Sequence, residues 1–224
     1  MPPMPPAPPA PPAPPGVRPE EFAERRDWPG YFTAMLGKPP RDTLLDALAR
    51  FEREGFTGGF AVDLGCGEGR DSAELLRRGW RVLAIDGHPS AFEFMARRTN
   101  FPRAAKMPGR FETRLARMED ADLPACDLLN ASFSLPFVEP ARFDEVWARI
   151  VSAVRPGGRF AGQFFGDRDS WASLPDRSHQ TRARVDELLA PFEVEQCREE
   201  ERDGGDCTNT PKRWHVFHVV ARKR

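Results

Sequence analysis

Asp63, Gly65, Gly67 and Gly69 stand at alternate positions where a short apolar run, Phe60-Ala61-Val62-Asp63-Leu64, gives out. An acid at such a strand end can hold an ammonium group, directly or through water. Glycines at this spacing let the backbone turn sharply and let a ligand approach where a Cβ would clash. Ala73, Leu75 and Leu76 follow at helical spacing. Strand, glycine turn and helix in succession make a cradle for a nucleoside-bearing ligand at the carboxyl end of a parallel strand. A dinucleotide fingerprint wants a third glycine where Arg70 stands, and Asp63 is no part of it. The glycine-lysine signature of a P-loop is absent from the sequence.

A second apolar run, Arg81-Val82-Leu83-Ala84-Ile85-Asp86, also ends in an acid. Asp86 lies about 20 residues past the turn, the spacing of a ribose-binding carboxylate, which accepts from two vicinal hydroxyls at once. Arg41 is either a fork donor to a carboxylate on the cofactor or a solvated cation.

The turn resembles motif I of the class I S-adenosylmethionine-dependent methyltransferases, D-x-G-x-G-x-G, at Asp63, Gly65, Gly67 and Gly69. The likeness covers about residues 63–164. The run from Gly67 to Ser72, then Gly79-Trp80 and Asp86, looks like the tellurite-resistance type and related small-molecule enzymes. This resemblance implies S-adenosyl-L-methionine as cofactor and in-line methyl transfer to a small-molecule acceptor. The alternative is a catalytically silent domain of the same fold that binds the cofactor or a partner. A dinucleotide oxidoreductase is the third option.

By the same resemblance, Arg70, Gly87 and Cys66, a small residue that fits the turn, join the glycines and Asp86 against the cofactor. Met118 packs the adenine and Glu119 or Asp120 takes its amine. Asn130, Ala131 and Ser132 lie near the sulfonium. Trp28 and Tyr31 form a lid over the site or pack on the sheet edge. Gln163, Asp169 and Trp171 either shape the acceptor pocket or serve as loop caps and buried aromatics. A soft thiolate acceptor needs no base, whereas a hydroxyl or amine does. His179 and Tyr31 are the candidates for that role; His88 falls on the adenosine side. The missing N-P-P-[YF] run speaks against methylation of a nucleobase or amide nitrogen.

The elements that must hold these residues alternate. Strands end at Asp63, Asp86, Leu115 and Phe133, and helices span 43–53, 71–78, 89–98 and 141–153. A turn at Pro156-Gly157-Gly158 opens a fifth strand. A helix over 182–189 precedes two strands, 192–201 and 213–221, with the reversal at 203–206 and 208–209. This pattern predicts an α/β fold: a doubly wound, seven-stranded, mostly parallel sheet with a C-terminal antiparallel hairpin, Rossmann-like in the methyltransferase manner. Residues 57–224 form that domain. Residues 19–56 form a helical cap, with a short helix starting at Pro19. Residues 1–18 form a disordered proline- and alanine-rich tail.

The chain has 224 residues, 33 Lys+Arg against 34 Asp+Glu, and a formal charge of −1. That balance argues against nucleic acid or an anionic membrane as main partner. No apolar run is long enough for a membrane span. The start lacks a secretory signal, and the scattered Cys66, Cys126, Cys197 and Cys207 read as reduced thiols, so a cytoplasmic location is expected. Cys197, Cys207, His215 and His218 match no zinc spacing, so no metal is expected. The oligomeric state is left open.

Overall fold

The computed structural model describes residues 26–206 and 210–224. The tail, the helix expected from Pro19, Cys207 and part of the 203–209 reversal lie outside the described residues. Helices α1 (Trp28–Met35) and α2 (Asp42–Arg53) precede the sheet. Then come β1 (Phe60–Leu64), α3 (Arg70–Arg77), β2 (Arg81–Asp86), α4 (Ser90–Arg97), β3 (Phe111–Leu115) and β4 (Cys126–Ala131). Helix α5 (Phe143–Ala153), β5 (Val154–Gly166), β6 (His179–Gln180), α6 (Arg182–Leu188), β7 (Phe192–Gly205) and β8 (Pro211–Lys223) complete the order.

Helix α1 falls within the helical cap expected over 19–56, although Pro29 and Gly30 are poor helix formers. It forms because the Asp27 side chain accepts from the Gly30 amide (2.8 Å) and Pro29 sits in the first turn, where no donor is missed.

The sheet runs β3-β2-β1-β4-β5-β8-β7, with β8 antiparallel to both neighbours and the other pairs on this path parallel. The two-residue β6 adds an eighth strand beside the seven expected, pairing Phe165 with His179. The terminal ladder is longer than the sequence suggested. It continues to Gly205 opposite Pro211, and cross-strand charge pairs such as Arg213 with Glu201 (2.8 Å) extend it.

Alternation along each strand divides the core between the two faces. Val62, Leu64, Leu129, Phe160, Phe164 and Phe217 pack on one face with Trp147 of α5 and Leu188 of α6. Ala61, Leu128, Ala161 and Val220 face the other way, against Leu44 and Leu48 of α2, Leu75 of α3 and Met95 of α4. Each large apolar side chain buried this way contributes about 1.5–3 kcal/mol. Arg159 is the bulkiest fully buried side chain. Its guanidinium lies 4.4 Å from the Phe51 ring and donates to Glu195 and Glu54, joining the end of α2 to β5 and β7.

Strand order reverses between β1 and β4, so helices leave the sheet in opposite directions there. That is the crevice where ligands bind in open α/β sheets.

Candidate functional site

The loop between β1 and α3 is tied to β2 by two amides, Gly65 N and Cys66 N, which donate to the Ile85 carbonyl at 2.8 and 3.0 Å. Gly65 has φ +74°, and a Cβ there would lie 2.3 Å from the Ser134 Cβ. Ser134 holds that position by donating its hydroxyl to the Leu64 carbonyl (2.7 Å). Gly67, at φ +52°, donates its amide to Asp86 Oδ2 at 2.9 Å. Asp86 Oδ1 accepts from the His88 amide at the same distance. Burial pushes the Asp86 carboxyl above its usual range, and these amide donors oppose that rise. Each carboxylate oxygen keeps a lone pair for a ligand hydroxyl.

Asp63 sits deeper than its expected role requires. It is fully buried and accepts from Ser72 Oγ (2.6 Å) and Asn130 Nδ2 (2.9 Å). Asn130 also donates to Asp71 Oδ2 (3.1 Å), and the Arg41 amide reaches Asp71 Oδ1 (3.0 Å). Burial, then repulsion from Asp71, pushes the Asp63 carboxyl up to about 7. Asp63 and Asn130 therefore knit β1, β4, α3 and the approach to α2 together, and neither opens into a cleft. Ala131 points into one core face and Cys66 packs in the other. Gly69 caps α3 at φ +80°.

Gly65, Gly67, Asp86, Gly87, Met118, Glu119 and Ser132 line a cleft of about 300 Å³. His88 borders it too. Glu119 is buried and accepts from the Glu139 amide (2.9 Å), while Asp120 is exposed and lies outside the lining. Of the two acids suggested for the amine, only Glu119 faces the cleft. The loop carrying it is clamped from α5, since Arg149 donates to the carbonyls of Met118, Glu119 and Ala121. Arg142 adds a bond to the Glu119 carbonyl (3.0 Å).

A larger cavity of about 690 Å³ adjoins this cleft, and Arg26, Trp28, Tyr31, Phe133 and Phe137 line both. Phe133 is, among the described residues, the one non-glycine at positive φ (+54°). A bulky residue there costs about 1–3 kcal/mol, and such strain concentrates at ligand sites. Gln163 holds it in place: Oε1 accepts from the Phe133 amide (2.8 Å) while Nε2 donates to Thr43 Oγ1 (2.9 Å). Arg41 stacks over the Phe133 ring at 4.2 Å, its Nε buried without a hydrogen-bond partner. Arg70, Gln163, Trp171 and His218 also line this cavity.

His179 is placed elsewhere. It borders a separate pocket with Pro140 and Phe143, its ring packed 5.9 Å from Phe165. Burial lowers its imidazole to about 4. Asp169 is buried behind the larger cavity, where it accepts from Lys212, the Trp171 amide and the His215 amide. The sequence reading missed His218, which had figured only in a dismissed zinc set, and the arginine clamp on the Met118 loop.

The sheet order, the glycine turn at the switch point and the terminal antiparallel pair define the Rossmann-like methyltransferase fold. Residues 61–158, somewhat under half of the chain, match the family described as "Methyltransferase domain". The chain is 30% identical over 136 residues to the mitochondrial ubiquinone biosynthesis O-methyltransferase of Schizosaccharomyces pombe, covering 59% of this chain and 47% of that protein. The chain thus spans about half the length of that curated relative. TehB from Haemophilus influenzae superposes with a TM-score of 0.65 at 18% identity, over 80% of this chain and 62% of that one. A Burkholderia thailandensis 1,6-didemethyltoxoflavin-N1-methyltransferase, with bound 1,6-didemethyltoxoflavin and S-adenosylhomocysteine, gives 0.62 at 21% identity. That match covers 94% of this chain and 92% of the other.

Among the described residues no helix is long and apolar enough to cross a membrane.

Proposed function

We propose that this protein transfers the methyl group of S-adenosyl-L-methionine to a small-molecule acceptor. The observation that carries the reading is the Gly67–Asp86 pairing in a cleft that shares the Tyr31–Phe133 wall with a larger aromatic cavity. The residues present fit the cofactor. Gly67 faces the cleft where a Cβ would press on the Phe32 ring at 3.3 Å. Asp86 would take the ribose hydroxyls, Met118 the adenine face and Glu119 its amine. Gly65, Gly87 and Ser132 would complete the wall. Arg41, with its unpartnered Nε, and Arg70 would hold the carboxylate of the methionine end. Asp63, Asn130, Cys66, Gly69 and Ala131 support this cradle from behind.

The sulfonium, when bound, supplies an already activated methyl group. What the chain adds is position and dryness. Trp28, Tyr31 and Phe133 wall off water at the junction, and alignment of this kind is worth several kcal/mol of barrier, up to about 7–11. Tyr31 is the one proposed base on that junction; burial raises its hydroxyl above the usual range, so it serves better as a hydrogen-bond donor than as an anion. His218, lowered to about 4 by burial and then Arg198, is neutral at pH 7. An imidazole held that low is a weak base, so His218 suits accepting a hydrogen bond rather than taking a proton.

The domain division follows the same reading: residues 57–224 as the catalytic domain, with α1 and α2 of the 19–56 cap closing the site. Cys66, Cys126 and Cys197 are free thiols, which suits a reducing compartment such as the cytoplasm. The experiment is a labelled-methyl transfer screen over phenols, amines, thiols and chalcogen oxyanions. Transfer to any of them supports catalysis. Tight S-adenosylhomocysteine binding with no transfer across the screen favours the silent-domain alternative.

A further inference from the structure

The larger cavity carries a charge pattern that the cofactor does not use. From Phe137, on the wall shared with the cofactor cleft, an aromatic cluster runs through Phe165, Trp171 and Trp214, with neighbouring ring centroids 5.9–6.5 Å apart. Behind them Lys212 Nζ lies 4.1 Å from the Trp171 ring, 4.4 Å from Trp214 and 5.1 Å from Phe165. A cation already occupies those ring faces, so the box is not free to capture a second one.

Arg177 lines the same cavity, 9% exposed, its guanidinium 4.8 Å from the Phe137 ring and 5.2 Å from Trp171. It donates from Nη1 to Asp176. Its Nε is buried with no hydrogen-bond partner, and Nη2 donates to none of the described residues. Nη2 is therefore the guanidinium nitrogen left for a ligand oxygen, through a single charge-assisted bond. Asp176 does not neutralise the cluster, because Arg26 uses the same oxygen through Nε and Nη2. Two guanidiniums therefore share one carboxylate beside one aromatic ring. Burial, then repulsion from Arg26, lowers Arg177 to about 10, which still leaves it charged at neutral pH. Apart from Arg41 and Arg70, assigned above to the cofactor, five arginine or lysine side chains line the cavity with four carboxylates.

We propose that the acceptor is a planar aromatic carboxylate, its ring against the edges of Phe137, Trp171 and Trp214 and its carboxylate on Nη2 of Arg177. This rests on the methyltransferase reading for the word acceptor, but the recognition chemistry stands on the cavity alone. The unpaired charged donor at Arg177 Nη2 is satisfied only by an acceptor group. A neutral amide brings an oxygen without the charge, and an aromatic ammonium meets the Arg26 and Arg177 guanidiniums.

The test is binding to the full chain of three probes of one shape: 6-hydroxy-2-naphthoate, 6-hydroxy-2-naphthamide and 6-hydroxy-2-naphthylmethylammonium. Tryptophan quenching reads each, with and without saturating S-adenosylhomocysteine. The expected result is that the naphthoate binds at least tenfold tighter than the amide and tighter still than the ammonium. R177Q should reduce the naphthoate preference to less than about twofold, and R177K should leave an intermediate preference. S-adenosylhomocysteine affinity in both variants reports that the fold is intact. Equal binding of the naphthoate and the amide, tighter binding of the ammonium, or no saturable naphthoate binding overturns the proposal. The wild-type comparison decides it even if both variants misfold. Failure to bind S-adenosylhomocysteine would sink the methyltransferase reading while leaving the charge preference readable.

Discussion

The Gly67 amide donates to Asp86 Oδ2 across 2.9 Å, so the glycine turn after β1 and the acid ending β2 form one unit. The acid fixes the bend, and the bend fixes which lone pairs of the acid remain for a ligand. Neither residue can be changed without moving the other.

Asp86→Ala removes the acceptor for two amides, Gly67 and His88, at a cost of about 1–3 kcal/mol for each group left unsatisfied. S-adenosylhomocysteine affinity should fall more than about tenfold by calorimetry, since the ribose contact goes too. Asp86→Asn, with one acceptor oxygen, should fall between. An affinity equal to wild type would remove Asp86 from the site.

Gly65→Ala places a methyl 2.3 Å from the Ser134 Cβ on a backbone at φ +74°. We expect a loss of about 2–3 kcal/mol, seen as a melting temperature lower by roughly 5–10 °C. Adding Ser134→Gly relieves the clash and should recover part of it. A double variant no more stable than Gly65→Ala alone would mean that the strain, and not the contact, sets the cost.

Asp63 gives a pH signature. Its carboxyl, raised to about 7, stays protonated in the folded chain between about pH 4 and 7, where the unfolded chain has released the proton. The folded state then binds more protons, so this group's contribution is full below about pH 4 and lost as pH rises through 7. The stability of wild type minus that of Asp63→Asn, from urea unfolding at successive pH values, should fall over that window. A difference independent of pH would contradict the buried Asp63–Asp71 pairing.

Arg149→Met frees the carbonyls of Met118, Glu119 and Ala121. Arg149 is a positioning residue, so S-adenosylhomocysteine binding should weaken by about three- to tenfold while Arg149→Lys retains more of it. Equal losses in both variants would argue for a general folding defect.

Much of this architecture is written locally. Strands β1 and β2 announce themselves by apolar runs that end at or beside an acid, and the turn by glycines whose positive φ no other residue tolerates cheaply. The crevice assignment of Asp86 followed from spacing alone. Residues that meet only through the tertiary fold were not legible. Arg26, Asp176 and Arg177 join across 150 residues of sequence. Asn130 looked like a residue at the sulfonium, but its amide is held by Asp63 and Asp71, while Ser132, just past the end of β4, reaches the cleft and donates to Asn130 Oδ1 (3.0 Å). His179 looked free to serve as a base, yet β6 pairs with the end of β5 and carries it to a different pocket.

The most direct test of the central claim is a crystal structure of the protein grown with S-adenosylhomocysteine. The account requires the ribose hydroxyls on Asp86, the adenine against Met118 within reach of Glu119, and the sulfur at the Tyr31–Phe133 wall facing the aromatic cavity. Density for the nucleoside anywhere else, or a cleft that instead takes a pyrophosphate-linked dinucleotide, would contradict it.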